Sequence, residues 1–574
     1  MKKLFVVFLL FSTVSLLWAC TTMIITKGAS KDGSVFVAHS DDSEMFDNRL
    51  VYVPAADHKA GSKRAVYYDP SSLGNRKKFN SNVLHRYVGK DRSPVYSDNN
   101  LPQSIPLGHI PQVAHTYAYF DGNYGIMNEH QLMFGEATNG AKITAEPEPN
   151  KLIFYSAELT RVALERCKTA QEAIKLIGHL IETYGYYGTG ETIPVADKNE
   201  GWVIEIAPSP EKKGGLWVAK RVPDGEVFVA ANEFRIREVD PDDKNMIYSK
   251  DLHKIAQKHG WWDPKSGKLD WLRTVSEGEY SHPYYSLRRV WRVQSKLAPS
   301  KNLSPWVKDG FTTYYPFSIK PDKKLDARDV AKLYRDYYQE TQFDLSKGMS
   351  AGPFGNPYRY PGVMDAGNDT GNPDAKLSGA WERPLSIYRS GYSFVLQARS
   401  WLPDPIGGIV WFAPDEPMSS VLTPFYVGVN SIPKAYYTGF SDKFDQQSAW
   451  WAFNFVANWA AIKYSYIIKD IQLKQNELEL ASMKNVKIMD HKALKVYEKR
   501  PLVAKEMLTH FSNSEASKVV NTWWALAWRL VAKYSDGYVN EPNKMAQEVG
   551  YPKEWYKYSN YSDGPTSYKN HKEK

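Results

Sequence analysis

Cysteine is nearly absent: two residues, Cys20 and Cys167, serve a chain of 574. A disulfide scaffold is therefore excluded. Metal-ligand spacing is also missing. No His-Glu-x-x-His occurs and the 13 histidines are scattered, so neither a metal centre nor any other cofactor is expected. The formal charge is +9, yet no basic run of the nucleic-acid-binding kind is present. Lys2 and Lys3 stand at the start, Lys569, Lys572 and Lys574 in a polar tail, and the other charges alternate in sign. Internal repeats and low-complexity linkers are lacking. Beyond the first 20 residues no apolar run reaches the roughly 18 residues of a membrane span.

What is present is a long, well-apolar chain. Hydrophobic residues make up 43% and aromatics 14%, including 18 Trp and 38 Tyr. That suits packed globular structure. The length exceeds what one core usually holds, and the pattern divides it into a main domain over 20–440 and a helical region over 441–574. A homo-oligomer is compatible with that helical region, whose default use is packing on the main domain.

The start of the chain reads as a leader. Met1-Lys2-Lys3 precedes Leu4–Leu17, apolar except for Ser12, Thr13 and Ser15. Such a run suits an export signal better than a bilayer span. The expected location is periplasmic or extracellular. Cleavage after Ala19 makes Cys20 the first mature residue. Leu17 before Cys20 also fits a lipoprotein site, so a lipid-anchored chain with a binding role is the alternative.

The residues after Cys20 are not a polar tether. Thr21–Thr26 reads as a strand, Asp32-Gly33 as a turn, and Ser34–His39 as a second strand. A cysteine opening a folded hairpin is held as a nucleophile should be. A free α-amine has a reference pKa of about 7.7–8.0. It can take the thiol proton near neutral pH without a separate histidine.

The series Cys20-Thr21-Thr22, Asp32-Gly33-Ser34 and His39-Ser40-Asp41-Asp42 resembles the C69 dipeptidases, N-terminal-nucleophile hydrolases related to bile-salt hydrolases and penicillin V acylases. Further matches are Met127–His130, Ala231–Phe234, Arg288–Arg292, Gly352–Pro357 and Glu382–Pro384. The resemblance runs from Cys20 to about Asn458. It implies an α+β, four-layer αββα sandwich and cleavage of small dipeptides. It makes Cys20 the nucleophile and gives Asp42 the α-amine. It makes Asn232 an oxyanion donor and gives Arg289 the support of the nucleophile, with Arg288 one register step away. An acylase of the same superfamily is a neighbouring reading. The bile-salt branch has Arg where this chain has His39, which weakens any transfer of choloyl substrates and leaves His39 as a substrate contact or a structural residue.

The same residues have a physical reading. Adjacent strand residues face opposite ways, so only one of Asp41 and Asp42 can face Cys20. Asn232 ends the apolar run Val227–Ala231 and can donate to an oxyanion without titrating. The cluster Arg288, Arg289 and Arg292 can grip a dipeptide carboxylate. The substrate ammonium needs an anion, for which the free member of the Asp41/Asp42 pair and Glu136 are candidates. Cys167, in the helically spaced Ser156–Thr169, reads as buried and inert. Gly348-Met349-Ser350-Ala351-Gly352 fits G-x-S-x-G, but the proline- and glycine-rich stretch after it does not suit a nucleophile elbow.

Elsewhere, strands are expected at Val113–Phe120, Thr192–Ala196, Trp202–Ile206, Leu216–Arg221, Val227–Ala231, Tyr392–Arg399, Gly408–Phe412 and Pro424–Val429. Two helices are expected within 156–184. Further helices are expected at Asp326–Gln342, with Asp326 as N-cap, and at 448–475. Strands in runs and helices in separate runs predict α+β.

Overall fold

In a computed structural model of the chain, the described residues are 20–43, 47–69, 86–97, 101–279, 284–358 and 382–560. The leader and the tail lysines lie outside them. β-Branched and aromatic runs form strands because their side chains fit a half-buried pleated surface. Thr21–Ile25 is paired antiparallel with Val35–Asp42 on one side and Val227–Ala230 on the other. Ser318–Ile319 extends the sheet past Val227–Ala230. Ser390–Ala398, Ile409–Pro414 and Thr423–Tyr426 extend it past Val35–Asp42, giving seven strands.

A second antiparallel sheet has nine strands. It runs from Met246–Tyr248 through Leu216–Arg221, Gly201–Ala207 and Gly190–Ala196 to Met133–Phe134, Gly125–Asn128, Tyr119–Asp121 and Val51–Val53. Ala137–Asn139 also pairs with Gly190–Ala196. The two sheets meet closely. A Cβ added to Gly201 would stand 2.5 Å from Ile24 Cγ2, and one added to Gly135 would stand 2.3 Å from Thr22 Oγ1. Only glycine permits that approach. Cys20, Thr22 and Ile24 thus share the face of the first strand that looks toward the nine-stranded sheet, since strand side chains alternate.

Helices Ser156–Arg166 and Ala170–Tyr184 pack Leu159, Val162, Ile174 and Ile177 into one core with Val195, Ile204 and Trp217 of the nine-stranded sheet. Thr169 and Glu172 form a capping box at the second helix, satisfying two backbone N–H groups there. Helices Leu287–Leu297 and Ala327–Tyr334 share a core with the seven-stranded sheet. The same core continues into helices Ala449–Ala460, Tyr464–Tyr497 and Pro501–Lys533. Phe453 stacks on Trp523 with centroids 5.0 Å apart. Glu479 accepts from Arg328, Arg335 and the Leu422 backbone, fastening the long helical pair to the body. No helix among the described residues is long and apolar enough to cross a membrane.

The architecture is mixed α and β, with antiparallel sheets and a C-terminal helical region. Three elements differ from the sequence pattern. The single helix expected at 448–475 is divided by a 3-10 turn at Ala461–Lys463, where Lys463 takes φ −149° and ψ 59°, and the second piece runs on to Tyr497. The helix capped by Asp326 ends at Tyr334 and does not reach Gln342. Tyr338 and Glu340 adopt φ 67° and 64°, which helical backbone cannot accommodate. Val113–Phe120 is not one strand. His115–Thr116 pairs with Ala56–Asp57, while Tyr119–Asp121 joins the large sheet.

Candidate active site

Cys20 directly precedes the strand Thr21–Ile25 and is wholly buried, with 0% exposure. Both cysteines are free thiols. Across the hairpin, Thr22 is opposite His39, so His39 and Asp41 fall on the same inner face as Cys20. From the other sheet, Gly135 carries Glu136 to this face. Cys20 Sγ, a ring nitrogen of His39 and a carboxylate oxygen of Glu136 all lie within 4.8 Å of one another. His39 Nδ1 is 2.9 Å from the Glu136 carbonyl oxygen. The carbonyl can only accept, so Nδ1 carries the ring proton and Nε2 presents its lone pair.

The inner face is strongly acidic. Burial, then the fields of Glu136, Asp41 and Asp42, push the Cys20 thiol well above its ordinary value, while the Asp42 backbone N–H opposes this. Burial also raises Asp41, aided by Glu136 and opposed by a hydrogen bond from Asn123. Burial raises Glu136, with hydrogen bonds from Glu191, Thr138 and Cys20 opposing it. His39 is pushed down to about 4 by burial, so it is neutral at physiological pH. Burial thus favours the uncharged forms of the Cys20 thiol, the His39 imidazole and the Asp41 and Glu136 carboxyls.

The outer face of the same strand pair carries the guanidinium groups. Arg289, on the helix Leu287–Leu297, is wholly buried. Its Nη1 donates to the Cys20 carbonyl at 2.9 Å and to Thr21 Oγ1 at 3.0 Å. Its Nη2 donates to the Ala231 carbonyl at 3.1 Å and to Asn232 Oδ1 at 2.7 Å. Nε donates to the Tyr285 carbonyl at 3.2 Å. Burial, then Arg383 nearby, brings Arg289 down to about 10, still charged at neutral pH. Tyr334 adds a hydroxyl to the Thr21 carbonyl at 3.1 Å. Asn232 stands at φ 67°, a left-handed position that asparagine tolerates better than most residues. Its Nδ2 donates to the Thr138 carbonyl at 2.7 Å, which fixes which end of the amide is the donor.

Asp41 and Asp42 separate as strand alternation requires, with a register irregularity between them in the pairing to Ser390–Ala398. Asp41 accepts from Asn123 Nδ2 and leaves Oδ1 without a hydrogen bond. The Asp42 carboxylate instead accepts from Arg383 Nη2 at 2.6 Å, from Ser390 Oγ, and from Ser40 Oγ at 3.0 Å. Asp42 reaches Cys20 through its backbone N–H as well as its field. Arg288 goes elsewhere: Nε bonds Glu382 at 3.1 Å, Nη1 bonds the Pro305 carbonyl, and the guanidinium lies 3.8 Å from the Phe343 ring centroid. Arg292 is paired with Asp336 at 2.8 Å. Of the three clustered arginines, Arg289 is the one joined to Cys20.

The profile of peptidase family C69 matches residues 108–477, well over half of the chain. The chain belongs to peptidase family C69. Among its relatives, a probable dipeptidase of Salmonella dublin is 29% identical over 425 residues, covering 72% of this chain and 81% of that protein. Dipeptidase A of Lactobacillus helveticus is 22% identical over 437 residues, covering 75% and 80%. A penicillin V acylase structure from Agrobacterium tumefaciens aligns over 71% of this chain and 86% of that one. Its 9% identity and TM-score of 0.29 are too low to bear on the fold. The profile match begins after Cys20 and does not include it.

Several residues of the candidate site carry no spacing signal in the sequence. Glu191, Asp69 and Tyr124 surround Glu136 and Cys20 electrostatically. Glu191 is the one with a local clue, being a charged residue inside the buried strand Gly190–Ala196. Arg383 stands in the Glu382–Pro384 motif, whose role only the Asp42 pair reveals. The G-x-S-x-G match is a surface 3-10 turn at Met349–Ala351, with Ser350 exposed and no strand leading into it among the described residues. It is not a nucleophile elbow. Cys167 follows the helix that ends at Arg166, and burial lifts its thiol to about 12, as an inert core cysteine requires.

Proposed function

We propose that this C69 peptidase is a cysteine dipeptidase with an N-terminal nucleophile, Cys20, exposed as a terminus by removal of residues 1–19 during export. The observation that carries the reading is the single Arg289 guanidinium bonded to both the Cys20 carbonyl and Asn232 Oδ1. One rigid group thereby sets the spacing between a nucleophile and a candidate oxyanion donor. The dipeptidase names of the relatives support the substrate class. Two facing antiparallel sheets with helices outside them support the four-layer sandwich of N-terminal-nucleophile hydrolases. Full burial of Cys20 argues against a lipid tether at that residue.

In the mature chain the Cys20 amine takes the thiol proton as Sγ attacks the peptide carbonyl. The oxyanion receives a hydrogen bond from Asn232 Nδ2, a donor of a kind worth about 3–4 kcal/mol. Collapse passes the proton from the Cys20 ammonium to the departing amino acid and leaves a thioester. Water, deprotonated by the same amine, hydrolyses the thioester and regenerates the thiol. We assign Asp42, held by Arg383, Ser390 and Ser40, to orient the amine. Asp41 and Glu136 are assigned to the substrate's ammonium, whose arrival would ionise both carboxyls.

N-terminal mass spectrometry of the exported protein, with a dipeptide panel on wild type, Cys20→Ala and Cys20→Ser, tests this. A free Cys20 terminus, loss of turnover in Cys20→Ala and slow residual turnover in Cys20→Ser are expected. A diacylated terminus, or wild-type rates in both variants, overturns it.

A further inference from the structure

The inner face of the site holds three side chains of different ligand chemistry. Cys20 Sγ, a ring nitrogen of His39 and a Glu136 carboxylate oxygen come within 4.8 Å of one another, and all three residues are buried. They derive from two strands of one sheet and a link between strands of the other, so no sequence spacing announces them. One of the groups has an unused ligand atom. His39 Nε2 is buried without a hydrogen bond. Buried polar atoms left in this state are uncommon and ask for a ligand.

The orientation of each group is also that of a metal ligand. The His39 Nδ1–H is committed to a backbone carbonyl at 2.9 Å, the usual outer contact that fixes a ligating imidazole. Glu136 Oε1 is held by Thr138 Oγ1 at 2.8 Å, which fixes the orientation of the carboxyl group. One sulfur, one nitrogen and one oxygen make a borderline-soft set suited to zinc, with a fourth position left for water or another donor.

We propose that Cys20, His39 and Glu136 form a reversible inhibitory site for Zn2+. Binding exchanges the thiol proton for the metal: the S–H bond breaks, an S–Zn bond forms and the proton leaves to solvent, with no change of oxidation state. The metal then occupies the sulfur lone pair that attacks the substrate. The inhibitory consequence rests on the assignment of Cys20 as nucleophile; the binding itself does not.

The probe is Co2+ added to the purified, chelator-treated protein, with Zn2+ displacement and elemental analysis after gel filtration. The expected result is one equivalent bound and a thiolate-to-cobalt charge-transfer band that Cys20→Ser abolishes. His39→Gln and the near-isosteric Glu136→Gln should each weaken binding at least tenfold, with circular dichroism showing intact folds. Absence of the band, or equal affinity in all three variants, overturns the site. Metal binding in a protein that cleaves no dipeptide would keep this inference and remove the dipeptidase reading. Dipeptide cleavage without metal binding would do the reverse.

Discussion

Asn232 offers a perturbation whose structural and catalytic costs can be separated. Its side chain accepts from Arg289 at 2.7 Å and donates to the Thr138 carbonyl at 2.7 Å. Losing the charge-assisted bond costs about 2 kcal/mol and the neutral one about 1 kcal/mol. Its φ of 67° adds about 1 kcal/mol more for alanine, which glycine avoids. Asn232→Gly should therefore lose about 3 kcal/mol of stability and Asn232→Ala about 4 kcal/mol, measured by urea unfolding. If Asn232 binds the oxyanion, both variants lose the same donor. Both should then lose about 10²–10³ in kcat on a dipeptide, with KM changed little. The glycine variant is the decisive one, because its backbone is unstrained. A folded Asn232→Gly protein whose kcat stays within about tenfold of wild type would refute the oxyanion assignment, whatever its stability.

Two further results are expected. The Asp42–Arg383 pair is wholly buried at 2.6 Å, so Arg383→Met alone should cost about 3–5 kcal/mol by stranding the carboxylate. Adding Asp42→Asn should recover part of that loss in the urea midpoint, and strictly additive costs would contradict direct coupling of the two residues. Burial lifts the Glu205 carboxyl to about 8, against N–H groups of Arg235 and Ile236. The unfolded chain releases this proton first, so the stability contribution is full below the ordinary carboxyl range and is lost as pH rises toward about 8. Unfolding free energy should fall by up to about 1.4 kcal/mol per pH unit from this group. Glu205→Gln should flatten that slope, and identical slopes in the two proteins would show that Glu205 does not hold a raised proton.

Much of the frame was legible because local signals were strong. The alternation and β-branching of Thr21–Ile25, Leu216–Arg221 and Val227–Ala230 mark strands within a residue or so of their observed ends. Asp326 caps its helix through a reciprocal box with Asp329. The far end of that helix was not legible, because Asp336 is drawn to Arg292 and Lys296, contacts made between separate segments. The site divides in the same way. Cys20 was marked by its place before a strand, and the alternation rule separated Asp41 from Asp42. Which arginine serves Cys20 depends on helix rotation, which the spacing of Arg288 and Arg289 leaves open. Glu191 and Arg383 matter through partners more than 50 and 300 residues away along the chain, and no local pattern records such meetings.

The strand order has a consequence for how the protein comes into being. Cys20 directly precedes the first strand, yet that strand's neighbours in the sheet are Val35–Asp42 and Val227–Ala230, and the second strand waits for Ser390–Ala398. Arg289 and Arg383 arrive late as well. A chain emerging from the ribosome thus presents Cys20 first and completes its surroundings only when synthesis has passed residue 390. Pairings of such long sequence separation close slowly. During that interval the thiol is an ordinary reactive cysteine on an unfinished sheet, and the acidic and basic faces that distinguish it do not yet exist. A product truncated before residue 383 therefore lacks both the Arg383 contact to Asp42 and the Ser390–Ala398 strand beside it.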